Sequence, residues 1–216
     1  MQNPAFSSEH DPYYTQEKRF IFHLVPDGPN LVLDLGCGAG KMGKALIDSG
    51  KAGVVVGVEI FEPAAHEAAK YYSRVHVGDI EQMELTYHGY FDVAICGDIL
   101  EHLKDPGKVI QRVRQWLKDD GLIICCVPNV RYWRVLRDLI FRGKFEYASE
   151  GIMDQTHLRF FTCSSFKKLL RDASFEIKDE GMRIAVGPKQ ATFNRLTGGI
   201  FREFLGIQML YPARKV

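Results

Sequence analysis

Continuous runs of apolar residues alternate, over residues 31–129, with segments in which apolar residues recur every three or four positions. Continuous runs are typical of strands covered on both faces, whereas the wider spacing is typical of helices. The runs predict five buried strands, at 31–36, 52–60, 74–80, 91–100 and 122–129. The periodic segments predict three helices, at 40–50, 62–72 and 105–121. Because right-handed crossovers join parallel strands, this alternation predicts a doubly wound α/β sheet whose ligand lies beyond the carboxyl ends of the strands.

The segments that flank this core have a different pattern. Residues 16–25 predict a helix, and residues 130–160 are rich in arginine and aromatic side chains without a clear strand. The last part predicts a helix, a strand, a helical segment and a final strand, at 164–173, 175–186, 191–205 and 207–214. We therefore expect a single domain over 1–216, with an N-terminal cap (1–29), a core (30–129), an insert (130–160) and the C-terminal part of the sheet (161–216).

The composition limits the classes of function. A length of 216 residues with 46% hydrophobic content suits one domain with an ample core. The formal net charge of +1 argues against nucleic acid or an anionic membrane as the partner. The chain opens without the features of a signal peptide, and no apolar run approaches the roughly 20 residues that span a bilayer. The five cysteines lack C-x-x-C spacing, which predicts buried, reduced thiols in a cytoplasmic protein.

The segment LVLDLGCGAGKMG (31–43) contains candidate binding chemistry. Three of its glycines form the G-x-G-x-x-G pattern of loops that hold a dinucleotide pyrophosphate: Gly38, Gly40 and Gly43. Carboxylates, however, stand at the ends of the first three predicted strands. Glu59 suits the ribose of either cofactor, but Asp34 and Asp79 would repel a pyrophosphate by about 1 kcal/mol or more per close pair. The acids therefore favour S-adenosylmethionine, with its cationic sulfonium and amine, over a nicotinamide dinucleotide.

The same segments resemble a known family. LDLGCGAG (33–40) resembles motif I of the class I S-adenosylmethionine-dependent methyltransferases. Three later segments are similar to the successive motifs of that family in order and spacing: VGVEI (56–60), VGDI (77–80) and FDVAICGDILEHLKDP (91–106). The resemblance covers about residues 30–130. It implies a Rossmann-like sheet of seven strands in the order 3-2-1-4-5-7-6, with the seventh strand antiparallel.

The resemblance also implies which residues bind S-adenosylmethionine. They are Tyr14, Arg19, Asp34, Gly36, Gly38, Gly40, Glu59, Asp79, Ile80 and Gly97. The loop glycines would let the backbone approach the methionine part, Asp34 would help to orient it, and Gly97 would contact its end. Glu59 would hold the ribose, and Asp79 with Ile80 would hold the adenine. Each acid also has a structural alternative, as a helix cap for the first two and as a turn residue for the third. For the N-terminal segment with Tyr14 and Arg19, the alternative is a mobile tail with a surface helix.

Two further similarities concern the acceptor side. Residues 150–166 (EGIMDQTHLRFFTCSSF) are similar to segments of methyltransferases encoded with bacterial polysaccharide- and sugar-modifying enzymes. Residues 127–145 resemble a stretch of the MetW group of methionine-biosynthesis proteins. We expect the insert to form a lid over the acceptor, and a helix packed by its aromatic residues is the alternative.

Methyl transfer to an alcohol is helped by a base that removes the proton, and His157 and His102 are the candidates. Either histidine could instead orient a loop. Small-RNA 2′-O-methyltransferases hold magnesium with E-x-x-E-H and a later histidine, and this chain has D-x-x-E-H at 98–102. A divalent metal at Asp98, Glu101, His102 and His157 is therefore an alternative, but Asp98 departs from the pattern and no metal is favoured.

These observations predict an enzyme that transfers a methyl group from S-adenosylmethionine to a small polar acceptor, first of all a hydroxyl of a sugar or sugar-bearing metabolite. The alternative is an accessory protein that binds the cofactor without transferring the methyl group. The candidate base favours the enzyme. The sequence leaves the oligomeric state open.

Overall fold

The computed structural model describes residues 20–177, 183–185 and 188–216. The predicted contacts at Tyr14 and Arg19 lie outside the described residues, as does the first part of the helix predicted over 16–25. Residues 20–24 are helical.

Eight strands in the described part of the chain form one sheet. They are β1 (Asn30–Leu35), β2 (Ala52–Glu59), β3 (Arg74–Val77), β4 (Phe91–Gly97), β5 (Leu117–Pro128), β6 (Phe175–Ile177), β7 (Arg183–Ala185) and β8 (Gln208–Lys215). The spatial order is β3-β2-β1-β4-β5-β8-β6, and β7 also pairs with β8. The pairs among β1 to β5 are parallel, and β8 is antiparallel to its three neighbours. Because β6 and β7 share one position, the predicted order 3-2-1-4-5-7-6 is confirmed.

Helices cover both faces of this sheet. They are α1 (Lys41–Asp48), α2 (Glu62–Ala68), α3 (Pro106–Trp116), α4 (Trp133–Arg142), α5 (Cys163–Asp172), α6 (Pro188–Leu196) and α7 (Arg202–Leu205). Alternate residues of β1 enter two separate buried clusters: Leu33 packs with residues of α3 and α5, and Val32 packs with residues of α1. A strand buried on both faces reads as a continuous apolar run, which is why the sequence shows the strands so clearly.

The third helix is shorter than its pattern predicts. It begins where the Asp105 side chain accepts a hydrogen bond from the backbone N–H of Lys108 and where Pro106 takes the first position. The prediction of a helix over 105–121 was wrong beyond Trp116, because Leu117 is extended and pairs with Phe91 of β4. Leu117 is fully buried, so its apolar character is compatible with either a helix or a strand. Its pairing with β4 makes it part of a strand.

The fourth strand is also shorter than predicted. It ends at Gly97 instead of residue 100, because Asp98 has a left-handed backbone with φ of 56° and a 3₁₀ turn follows at Leu100–His102. This turn brings residues 98–104 alongside the carboxyl ends of the strands, and so decides what lines the site.

The C-terminal predictions need two corrections. The strand predicted over 175–186 is described as β6 and β7, and residues 178–182 between them lie outside the described residues. The helical segment predicted over 191–205 is divided into α6 and α7, because Gly198 and Gly199 have φ of 62° and 82° and end the helix.

The insert (130–160) contains α4 and returns to the sheet at an isolated bridge between Asn129 and Phe161. All five cysteines lie in the described segments, are buried and form no disulfide, as the sequence predicted. Among the described residues, no helix combines the length and the apolar character that crossing a bilayer requires.

Candidate active site

A cleft of about 360 Å³ opens at the carboxyl edge of the sheet. Its volume lies within the range of roughly 300–1,000 Å³ that is typical of small-molecule sites. Six of the lining residues are Gly36, Glu59, Asp79, Ile80, Asp98 and His102. The structure therefore brings four of the predicted cofactor residues and one predicted base to a single cleft, where the fold class places its ligand.

Glu59, the last residue of β2, joins that strand to the glycine loop. Its Oε2 accepts a hydrogen bond of 2.8 Å from the backbone N–H of Gly38, and its Oε1 accepts one of 2.9 Å from that of Phe61. A carboxylate oxygen accepts more than one hydrogen bond, so these contacts leave acceptor capacity toward the cleft. Glu59 is thus held in a fixed orientation in which it can bind donors such as ribose hydroxyls.

Two loop glycines are required for different reasons. Gly38 has φ of 53°, and a Cβ added there would meet no atom within 4 Å. The loop is therefore bare of side chains at this point, as a close approach of backbone to ligand requires. Gly40 has φ of 76°, and a Cβ there would lie only 2.7 Å from the Cα of Ala68. Gly40 therefore allows the loop to pack on α2.

Asp34 lies buried in β1, with 4% of its surface exposed. The hydroxyl of Tyr72 donates a hydrogen bond of 2.5 Å to Oδ2 of Asp34, and the backbone N–H of Gly43 donates one of 3.0 Å to the hydroxyl oxygen. The ring also packs closely on β2, since a Cβ at Gly57 would lie 2.9 Å from it. Asp34 and Tyr72 therefore support the glycine loop and the start of α1 from the interior.

Sequence reasoning missed Tyr72. A signal was present in AGVVVGVE (52–59), because a glycine inside a β-branched strand often marks a close approach of another group. Burial, together with the charge and hydrogen bond of Asp34, raises the pKa of Tyr72 well above its ordinary value. The phenol therefore stays protonated and remains a hydrogen-bond donor to Asp34 at neutral pH.

Asp79 makes the turn contact that the sequence offered as an alternative, and it also lines the cleft. Its Oδ1 accepts a hydrogen bond of 2.8 Å from the backbone N–H of Glu81, which is a turn contact, and the residue also lines the cleft. Ile80 beside it is buried, and its carbonyl oxygen accepts a hydrogen bond of 2.7 Å from Arg112. The pair therefore presents a fixed acceptor and an apolar wall on one side of the cleft.

Gly97 ends β4 close to the helical residues 20–24. A Cβ there would lie 3.0 Å from Cδ1 of Ile21. The next residue, Asp98, lines the cleft, and its Oδ1 accepts a hydrogen bond of 2.9 Å from Nε2 of Gln208 in β8. This hydrogen bond holds the Asp98 side chain toward β8, which lies on the side of β5 opposite to β4.

Glu101, His102 and His157 form a cluster, of which His102 lines the cleft. One potential ligand atom of each lies within 4.8 Å of the others, and the two imidazole centroids are 4.8 Å apart. The backbone explains the meeting, since the carbonyl oxygen of Glu101 accepts hydrogen bonds of 2.8 and 2.9 Å from the N–H groups of residues 158 and 159. Asp98 is not a member of this cluster, so the four-residue metal pattern is reduced to three residues.

Both imidazoles are oriented by carbonyl oxygens. Nδ1 of His157 lies 3.0 Å from the carbonyl of Ile152, and Nδ1 of His102 lies 3.2 Å from that of Thr156. A carbonyl only accepts, so each Nδ1 carries the proton and each Nε2 is the lone-pair nitrogen of the neutral ring. Desolvation, and then the neighbouring His157, lower the pKa of His102, which favours its neutral form at pH 7. The cluster can therefore accept a proton or bind a cation.

The fold and this cleft define a class I S-adenosylmethionine-dependent methyltransferase. A family model described as a methyltransferase domain matches residues 9–180, and the chain belongs to that family. The predicted family and its cofactor, S-adenosylmethionine, are thereby confirmed.

Several similar relatives are named ubiquinone biosynthesis O-methyltransferase. The protein of Pseudomonas paraeruginosa is 30% identical over 156 residues, which cover 68% of this chain and 65% of that protein. The protein of Neisseria meningitidis serogroup A is 25% identical over 158 residues, which cover 68% of this chain and 64% of that protein. The chain thus spans slightly less than two thirds of the length of these relatives.

Solved structures show the same fold. A S-adenosylmethionine-dependent methyltransferase of Archaeoglobus fulgidus has a TM-score of 0.66 at 18% identity, over 95% of this chain and 100% of that one. One from Mesorhizobium loti has a TM-score of 0.65 at 18% identity, over 91% and 96% of the two chains. At this identity, the likeness concerns the fold alone.

Proposed function

We propose that this protein transfers a methyl group from S-adenosylmethionine to a hydroxyl group of a small-molecule acceptor. The observation that carries the proposal is the cluster of Glu101, His102 and His157, which reaches the cleft through His102. A hydroxyl becomes a better nucleophile when its proton is removed, and a neutral imidazole is well suited to remove it near pH 7.

The cofactor residues fit the proposed ligand. Glu59 and Asp79 line the cleft and offer carboxylates to hydroxyl and amine donors, and Gly38 has no side chain that would block approach to the loop backbone. When bound, S-adenosylmethionine supplies a methyl group activated by a sulfonium. The role of the protein is to place the acceptor oxygen in line with the methyl group and to exclude water. Positioning of this kind accounts for much of the rate of such displacements.

His157 is the proposed general base. It is buried, with 7% of its surface exposed, and its contact with the Ile152 carbonyl fixes both the tautomer and the plane of the ring. A fixed ring with an acceptor Nε2 can take a proton from a hydroxyl that lies within hydrogen-bond distance. His102 lines the cleft beside it and is the second candidate.

A divalent ion held by Glu101, His102 and His157 is the alternative role of the cluster. What favours it is that both Nδ1 atoms are hydrogen-bonded to carbonyls, as in metal-ligating histidines, whose other nitrogen is oriented in this way. A carboxylate with two imidazoles suits several divalent ions and would polarise a bound hydroxyl. We favour the base, because a neutral imidazole can act without a further component.

Two classes of acceptor compete. The similarity of residues 150–166 to sugar-associated methyltransferases supports a sugar hydroxyl. The relatives named for ubiquinone biosynthesis support a hydroxyl on a quinone precursor instead. Both are oxygen acceptors, so the proposed chemistry at His157 is the same for either class.

Calorimetry and a methyl-release assay test the enzyme against the accessory-protein alternative. We expect S-adenosylmethionine to bind and NAD not to bind. We also expect S-adenosylhomocysteine to accumulate with a member of one of two panels, sugar nucleotides or hydroxylated aromatic rings. Cofactor binding without turnover on either panel, with a partner protein restoring turnover, would support the accessory role.

A further inference from the structure

The stretch 139–147, at the end of α4 and directly after it, exposes large apolar side chains. Its exposed fractions are 43% for Leu139, 68% for Ile140, 82% for Phe141, 49% for Phe145 and 57% for Tyr147. α4 has no buried residue along its length. Single exposed apolar residues are ordinary, but five in nine consecutive positions form a patch of the kind that marks an interaction surface.

Basic side chains surround this patch. Residues 131–147 contain five basic residues and two acids, Asp138 and Glu146, whereas the whole chain has a net charge of only +1. Asp138 is paired with Arg137 and Arg142, and Glu146 with Lys144, so the segment keeps a formal net charge of +3. The argument against an anionic membrane was based on the net charge of the whole chain. That value does not show the local excess of positive charge in this segment.

A second exposed apolar segment rises from the same edge of the sheet. In α6 and the turn after it, Leu196 and Ile200 are each 78% exposed. This hairpin is tied to the base of α4, since Arg131 forms an ion pair with Glu203 and lies 4.5 Å from the ring centroid of Phe204. Both segments therefore belong to the edge at which the proposed active site opens.

The positive charge of this surface indicates which kind of partner binds to it. A twofold contact between two copies would place the same cationic segment against itself, and like charges would oppose it. An anionic lipid surface complements both features, because basic residues bind the headgroups while apolar side chains enter the boundary with the acyl chains. We infer that residues 131–147, with the α6–α7 hairpin beside them, dock this protein onto an anionic membrane surface.

Co-sedimentation with lipid vesicles tests the inference without cofactor or acceptor, so its result is independent of the proposed methyl transfer. We expect the chain to pellet with vesicles of phosphatidylcholine containing roughly a quarter phosphatidylglycerol, and to be released at high salt, because headgroup attraction is screened. Pure phosphatidylcholine vesicles should bind at least several-fold less.

Two pairs of variants locate the contact. Ile140→Ser with Phe141→Ser, and separately Arg142→Glu with Lys144→Glu, should each reduce the bound fraction at least tenfold. The matched controls are Val216→Ser, 64% exposed, and Lys70→Glu, whose side chain is 58% exposed; both lie near the opposite edge and should bind as the wild type does. Circular dichroism checks the fold of each variant, and the charge pair serves if the apolar pair fails to fold.

Three results would overturn the inference. One is a wild-type chain that pellets with neither vesicle, and another is binding that both variant pairs retain. The third is a concentration-dependent dimer in light scattering that the Ile140→Ser, Phe141→Ser pair abolishes while vesicle binding is absent, since a second copy would then be the occupant.

Discussion

At the scale of single residues, the glycine loop depends on a buried hydrogen bond that lies outside every motif. Tyr72 donates to Asp34 and accepts from the backbone of Gly43, so one phenol connects β1 to α1. The acid of the motif therefore has a hydrogen-bond partner inside the protein. A residue within a motif can thus be required because it supports the loop from the interior of the protein.

Removal of the Tyr72 hydroxyl tests this support. We expect Tyr72→Phe to lower the free energy of unfolding by about 1–3 kcal/mol, because buried Asp34 loses a hydrogen-bond donor. S-adenosylmethionine should also bind more weakly, since the loop loses its support. Urea unfolding and calorimetry measure the two effects. Tyr71→Phe, at a neighbouring residue that is 42% exposed, is the control, and equal effects of the two changes would disprove the role.

Glu59 provides the direct test of the cofactor site. Glu59→Gln keeps the size of the side chain but removes its charge, and we expect it to weaken S-adenosylmethionine binding by about 1–3 kcal/mol. Calorimetry measures the change. Glu62→Gln, at an exposed position in the first turn of α2, should leave the affinity unchanged. An unaltered affinity in a folded Glu59→Gln protein would remove this residue from the site.

His157 distinguishes the base from the metal ligand. If it is the base, His157→Ala should lower turnover by about 10²–10⁴-fold while cofactor affinity is kept, and chelators should have no effect. If it is a ligand, chelators should abolish turnover, a divalent ion should restore it, and Glu101→Ala should act in the same way. Wild-type turnover of His157→Ala on the true acceptor would leave positioning as the main catalytic device.

At the scale of elements, the site is assembled by the turns that follow the strands. Strand β4 ends one residue before the left-handed Asp98, and the 3₁₀ turn after it places His102 in the cleft. Insert residues after α4 then pair with the backbone of Glu101 and bring in His157. Because the insert supplies one of the three clustered side chains, its position should depend on what occupies the site.

Limited proteolysis tests that dependence. We expect cleavage after the basic residues of 131–144 to slow several-fold when cofactor and acceptor are both present, because closure of the insert withdraws this backbone from the protease. Cleavage in the exposed part of α5, measured in the same digest, is the internal control. Cleavage rates that are the same with and without the two ligands would show that the insert does not close over the site.

At the scale of the whole molecule, two histidines couple stability to pH. Burial and the charge of Arg74 lower the pKa of His76, and desolvation with the neighbouring His157 lowers that of His102. The folded protein therefore binds fewer protons than the unfolded chain just below the ordinary histidine value of about 6.5. Stability should rise with pH through this range and should fall as the pH is lowered from 7.5 to 5.5.

Urea unfolding at the two pH values measures the effect, with a double variant for comparison. The change in unfolding free energy between pH 7.5 and 5.5 should be smaller in His76→Gln with His102→Gln than in the wild type. The carboxyl groups with lowered pKa, such as Asp92, contribute only at more acidic pH and do not interfere. An identical pH dependence in the double variant would show that other groups dominate.

The sequence by itself determined the sheet and the class of cofactor, and its resemblance to a family implied the order of the strands. Strands covered on both faces are continuous apolar runs, and the glycine loop with Glu59 and Asp79 is a local pattern, so both can be read from neighbouring residues. Local pattern also predicted His102 and His157 as single candidates. It could not place element ends such as Trp116, because a buried Leu117 suits either kind of element until β4 pairs with it.

Only the tertiary structure decided which groups act together. Glu101 and His102 meet His157 because backbone hydrogen bonds join segments more than fifty residues apart, and Asp98 leaves the set because Gln208 holds it. Tyr72 meets Asp34 across the interior in the same way. The net charge likewise gave no indication that basic and apolar side chains share one edge. Such meetings depend on the path of the whole chain, and local periodicity contains no information about distances between remote segments.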